Sequence, residues 1–145
     1  MISFSILIKK QIFMKTISLV LFLTLTFFSC SKKNENKIDP ELVGEWKLTE
    51  MLVDPGDGSG TYHSVNSDKT IEFHSDGAFT SNGEICEMSI ESNTASIGTY
   101  SLTDSTINSS NCANSAIKIR FKKIGSTLIL YYPCIEPCGA KYVKK

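Results

Sequence analysis

The run Ala116-Ile117-Lys118-Ile119-Arg120-Phe121-Lys122 decides the fold class, because from Ile117 on its apolar and charged side chains alternate. A period of two puts Ile117, Ile119 and Phe121 on one face and the three cations on the other, the mark of a half-buried β-strand. Lys122-Lys123-Ile124-Gly125-Ser126 then reads as a turn. Thr127–Tyr132 reads as the returning strand, apolar on both faces and therefore central or covered.

The same pattern recurs upstream. Lys69–His74 places Ile71 and Phe73 in phase, Ser75-Asp76-Gly77 is a hairpin signal, and Ala78–Ser81 returns. Ile97–Leu102 aligns Tyr100 with Leu102, and Ala140–Val143 ends the series. Gly44–Val53 opens it, with Trp46, Leu48 and Leu52 in one phase. Glu50 falls in that phase too, so either a bulge turns it outward or it points inward at a cost. No stretch from Glu41 onward sustains a helical apolar period. Seven or eight short strands predict an all-β domain over residues 41–145: a small up-and-down antiparallel β-barrel, with a β-sandwich as the alternative. Asp54–Gly60 and Asp104–Ser115 are expected to be long loops.

Residues 1–29 carry Lys9, Lys10 and Lys15 and no acid, and the remainder carries 12 basic and 15 acidic residues. A mildly acidic body with Arg120 as its only arginine lacks the basic stripe that phosphates require, so no nucleic-acid partner is expected. The apolar run Ile17–Phe28 follows these lysines, the order of a signal peptide. Twelve residues span about 18 Å as a helix, short of the roughly 20 residues a membrane span needs. Met14 is a plausible true start. Phe27-Phe28-Ser29-Cys30 resembles a lipobox, which implies cleavage before Cys30, diacylation of its thiol and a membrane anchor of several acyl chains. Phe27 stands where the pattern prefers Leu. Residues 30–40 read as the lipidated Cys and a polar tether. With no acidic run after Cys30, an outer-membrane lipoprotein facing either the periplasm or the exterior is expected.

Cys30 aside, Cys86, Cys112, Cys134 and Cys138 form an even set in an exported chain, which reads as two disulfides. Three pairings are open. The one favoured joins Cys134 and Cys138 to Cys86 and Cys112, because staples across distant segments stabilise a small domain more. A zinc site needs two close ligand pairs, and only one exists, far from His63 and His74. No metal or cofactor is expected. Asp54 and Asp57 lack the spacing and closing Glu of a calcium loop.

Leu42-Val43-Gly44-Glu45-Trp46-Lys47-Leu48 resembles the opening of lipocalin-like domains, where Gly-x-Trp lies on the first strand. The Phe73–Phe79 hairpin and Gly98-Thr99-Tyr100 resemble the small lipocalin-like lipoproteins of Bacteroidota. The resemblance implies a barrel whose interior holds a small apolar molecule, with Trp46, Phe73, Phe79, Tyr100, Phe121, Leu128 and Leu130 as its lining. The simpler reading of the same seven residues is a filled core. Lipocalins pack an Arg of the last strand over the Trp; here the nearby cations are Lys141 and Lys144. No G-x-S-x-G elbow or phosphate cradle occurs, and His63, His74, Glu84 and Glu87 need no chemistry to explain them, so the chain is not expected to be an enzyme.

Overall fold

Glycine and alternation set the first strand. Gly44 holds a φ of +120°, and from it the chain extends as β1, Gly44–Val53. Eight further strands follow: β2 Tyr62–Ser64, β3 Thr70–Phe73, β4 Ala78–Ser81, β5 Ser96–Ser101, β6 Thr106–Ser109, β7 Ile119–Ile124, β8 Thr127–Tyr131 and β9 Cys138–Lys144. The computed structural model describes residues 39–113 and 118–145. The proposed signal peptide, Cys30 and most of the tether lie outside the described residues, as does Ile117.

All pairings are antiparallel. Each of β3 to β8 pairs with the next in sequence, and β9 returns to pair with β1. The result is a closed eight-stranded meander, β2 being a short extra rung on β1. Closure removes the free edges a sandwich would keep, which decides between the two expected architectures.

Inside the barrel, Trp46, Leu48, Ile71, Phe73, Phe79, Ile107, Ile119, Leu128, Leu130, Ala140 and Tyr142 are all buried in one cluster. Phe73 is the hub of the aromatic group, with ring centroids 5.1 Å from Tyr100, 5.9 Å from Phe121 and 6.4 Å from Phe79. Gly98 on β5 is required by this packing. A Cβ there would collide with the Asn108 carbonyl on β6 and come within 2.7 Å of the Phe79 ring.

Several local expectations change. β7 runs on through Lys122, Lys123 and Ile124, and the turn narrows to Gly125-Ser126 because Gly125, at φ +56°, reverses the chain alone. β8 is covered on one face only: Leu128 and Leu130 are buried, whereas Tyr131 is exposed. The expected loop Asp104–Ser115 contains β6, whose inward side chains are Ile107 and Ser109, a single apolar residue and hence a thin signal. In β1 a bulge between Leu48 and Glu50 shifts the register against β9, so Met51 rather than Leu52 packs on the core. Glu50 is turned out to Lys141 Nζ at 2.7 Å.

The disulfide pairing is Cys86–Cys112 and Cys134–Cys138, with Cα–Cα separations of 5.2 and 6.1 Å. This corrects the favoured cross-pairing. Cys86 lies in the β4–β5 connection and Cys112 follows β6, whereas Cys134 and Cys138 flank the β8–β9 connection on the opposite arc of the barrel. A disulfide bridges only Cα atoms within about 7 Å, so loops that share an arc pair with each other.

Loop-closure entropy then ranks the staples. Cys86–Cys112 spans 26 residues and contributes about 3.5 kcal/mol, against about 2 kcal/mol for a four-residue ring. Replacing Cys86 and Cys112 together by Ser is expected to lower the urea midpoint clearly more than replacing Cys134 and Cys138 together.

Candidate functional site

The two ends of the barrel are built differently. One end carries the tight turns after β3, β5 and β7, together with the segment Asp39–Val43 that enters β1. The other carries the long connections, including the one between β4 and β5 and both disulfides.

At the tight-turn end, Leu42 is buried and its carbonyl accepts the Trp46 indole N–H at 2.8 Å. Lys144 Nζ donates to the Glu41 carbonyl at 2.6 Å and stands 5.4 Å from the Trp46 ring centre. A cation on the last strand thus covers the first strand's Trp, although the residue is Lys. Beside this cap lies a cleft of about 550 Å³, formed by Asp39, Pro40, Leu102, Ser105, Phe121, Lys122 and Lys123. It adjoins a hollow of about 430 Å³ that reaches Asp104, Arg120 and Tyr131. Leu102 and Phe121 supply its apolar surface. Lys123 Nζ is held by Glu41 at 2.6 Å, and that hydrogen bond raises its pKa above the usual lysine value. Ser105 sits at φ +52°, a left-handed conformation unusual for a side-chain-bearing residue, and its carbonyl accepts the Phe121 N–H at 2.8 Å. The arrangement can seat an apolar chain on Leu102 and Phe121, with Lys122 and Arg120 at its edge.

Of the seven residues expected to line a pocket, Phe121 alone reaches this cleft. Trp46, Phe73, Phe79, Leu128 and Leu130 are fully buried among one another, and Tyr100 is partly buried with its hydroxyl donating to the His74 carbonyl at 2.7 Å. Leu102, expected at the end of a strand but opening the turn after β5, and Ser105, expected in a loop, complete the cleft; only the apolar phase shared by Tyr100 and Leu102 hinted at it.

At the loop end, the β4–β5 connection folds inward and buries Ile85 completely. Polar groups sew it down. The Ser96 hydroxyl accepts the Ile85 N–H at 3.1 Å, Ser81 accepts the Gly83 N–H at 3.1 Å, and Ser67 donates to the Ile90 carbonyl at 2.6 Å. The Lys69 side chain is fully buried, its ammonium donating to the carbonyls of Glu84 and of Ser89, the latter at 2.9 Å. Burial pushes the Lys69 pKa down to about 8, partly opposed by the Glu84 charge. Lys69 carried no sequence signal, since a lysine before a strand is ordinarily a solvated residue.

The Asp54–Gly60 loop is also ordered by a charge. The Asp54 carboxylate accepts the N–H groups of Gly56, Gly58 and Gly60 at 2.7, 3.1 and 2.8 Å, which lowers its pKa. Its oxygens are therefore engaged by backbone. Among the described residues, no group of three or more His, Cys, Asp or Glu side chains gathers as a metal site. His63 is exposed in the middle of β2 and His74 is partly exposed just after β3, the Nε2 of each 3.2 Å from a threonine hydroxyl.

With the barrel and its Trp46–Lys144 cap established, the family profile of the lipocalin-like domain matches residues 42–130. The chain belongs to the lipocalin-like domain family. The match runs from Leu42 under the cap to Leu130 on β8. β9, which closes this lipocalin-like barrel and carries Lys144, lies beyond it. Comparison with curated proteins and with solved structures gives no match.

Two outcomes follow from the buried charges. Lys69 binds fewer protons folded than unfolded between about pH 8 and its ordinary value, so its titration adds stability as pH rises through that window. From pH 7.5 to 9.5 the folded protein is expected to gain about 2 kcal/mol relative to a Lys69→Met variant, measured by urea unfolding. For Asp54 the sign is the same, because its folded pKa is also lowered: its stabilisation is present above the ordinary carboxylate pKa and is lost as pH falls through the depressed one. The amide resonances of Gly56, Gly58 and Gly60 are expected to shift together only in acid below about pH 4, and to show no such step in Asp54→Asn.

Proposed function

We propose that this protein is a membrane-anchored lipocalin-like lipoprotein that binds a small hydrophobic ligand in the cell envelope, without catalysis. The observation that carries the reading is the cleft of about 550 Å³ at the tight-turn end, with Leu102 and Phe121 as its apolar surface beside an otherwise filled barrel. Clefts of this size with apolar walls and a few polar groups suit small molecules. Lipid on Cys30 is the proposed anchor. Nine residues from Cys30 to Asp39 extend at most about 30 Å, which keeps the domain near an outer-membrane surface, on the periplasmic or the exterior side.

Native mass spectrometry of tag-free protein, with Nile red fluorescence as a titration, tests the binding. The expected result is a bound or titratable apolar molecule, with affinity for Nile red reduced about tenfold or more by Leu102→Trp, which fills the cleft. Unchanged affinity in Leu102→Trp removes the reading. The anchor is tested separately by palmitate labelling, which Cys30→Ser is expected to abolish together with membrane fractionation.

A second reading rests on one observation: Ile135, in the ring closed by Cys134–Cys138, is wholly exposed. A large apolar side chain on a constrained loop suits a protein contact, and makes the domain an envelope interaction module with a filled core. Crosslinking in intact cells that captures the same neighbour through this loop, and loses it in Ile135→Asp, would favour it.

A further inference from the structure

The outside of the barrel is not uniform. β3 to β6 contain no lysine or arginine. β7 carries Arg120 and Lys122 outward, and Lys118 precedes them in the same phase. All three are exposed, and among the described residues none forms an ion pair. Strand register sets apolar side chains beside these cations. Arg120 stands opposite Tyr131 on β8, Tyr131 opposite Gly139 on β9, and Gly139 opposite Leu52 on β1, which faces Tyr62 on β2. Gly139 leaves room there: a Cβ would lie 2.8 Å from the Tyr62 hydroxyl, so the Tyr62 ring reaches over β9. Nearer the tight-turn end, Lys122 stands opposite Ile129, and Ile124 and Val143 flank Thr127. Ile124, Tyr131 and Val143 are exposed. Lys141, on the same face, is already held by Glu50.

The tether meets the barrel at this same arc. Asp39, at its end, lies with a carboxylate oxygen 4.0 Å from the ammonium of Lys123, the neighbour of Ile124. We propose that the outer face of β7, β8 and β9 rests on a bilayer with anionic headgroups, Arg120 and Lys122 among the phosphates and Ile124, Ile129, Tyr131 and Val143 at the boundary with the acyl chains. The inference rests on the reading of Cys30 as a lipid anchor. Each Lys or Arg at an anionic surface is attracted to it, and a tyrosine with an apolar ring and a polar tip suits the interface. Two or three cations and a few apolar side chains bind weakly alone, but a short tether supplies a high effective concentration of membrane. From Cys30 onward the chain carries 12 basic and 15 acidic residues, so an anionic surface repels it on average and selects the arc where unpaired cations gather. The outward positions of β3 to β6 offer no such cation and include Glu72. Docking by this face also sets the Leu102–Phe121 cleft, whose rim includes Lys122, beside a source of apolar molecules.

The test reads an indole placed on the barrel surface of the full-length protein as the cell processes it, mixed with vesicles of phosphatidylcholine and phosphatidylglycerol that carry brominated acyl chains. The wild-type signal of buried Trp46 is the background. Ile124→Trp and Tyr131→Trp probe the two ends of the face. Ile97→Trp probes an exposed position on β5, opposite β9 in the closed strand order. Quenching of Ile124→Trp and Tyr131→Trp is expected to exceed that of Ile97→Trp about twofold or more. Adding Arg120→Glu/Lys122→Glu, or omitting phosphatidylglycerol, is expected to remove the difference. Flotation of the wild type with vesicles in high salt, where charge attraction is screened, scores the anchor separately. Flotation with equal quenching of all three variants keeps the anchor and overturns the docking face. Quenching of Ile124→Trp without Tyr131→Trp describes a domain held only by its tethered end, and overturns it too. Quenching of both, with flotation lost in high salt, supports the face and removes the anchor. Burial of the two indoles by self-association without lipid overturns the proposal in favour of a second copy of the chain.

Discussion

The structure depends on β1 serving two neighbours at once. Along one edge it pairs with β3 and then β2, and along the other it takes the whole length of β9. A ten-residue strand that pairs on both edges must curve, and the bulge between Leu48 and Glu50 supplies the bend. There the Thr49 carbonyl accepts the Val65 N–H at 2.9 Å, and the Thr49 hydroxyl reaches the Lys141 carbonyl at 3.3 Å. The same bend turns Glu50 out to Lys141, whose ammonium also lies 4.0 Å from the Tyr62 ring centre. Without it the alternation of β1 would carry Glu50 toward the core.

Closure has a consequence for the site. Eight strands enclose an interior that side chains alone can fill, and here the aromatic group around Phe73 fills it. The apolar space left for a ligand is displaced to the tight-turn end, where Leu102 and Phe121 meet the entering chain at Asp39 and Pro40. The loop end is sealed instead by Ile85. Its seal is polar in construction, with serines and one buried lysine holding a segment without regular structure. Such a segment has few apolar contacts of its own and draws on the low-stability part of the fold.

Much of this was legible in the sequence where inward positions are apolar. β1 and β4 have the bounds that alternation predicts, and the Ser75-Asp76-Gly77 hairpin turns at Gly77 with φ +89°. Most of what was not legible shares one cause: inward positions filled by polar residues. β6 escaped because Ser109 faces inward beside Ile107, and Ser81 and Ser96 hid their role as anchors of the plug. Lys69 was invisible for the same reason, since composition marks a lysine as surface. The disulfide pairing needed topology, because only the strand order shows that Cys86 and Cys112 share an arc that Cys134 and Cys138 do not.

The central claim, a barrel closed by β1 against β9 around a filled core, is most directly tested by NMR of the folded domain. Nuclear Overhauser contacts between Leu48 and Tyr142 and between Trp46 and Lys144, with slowly exchanging amides along both edges of β1, are the expected result. Rapid exchange along β9 with no contact to β1 would describe an open sheet and contradict the account.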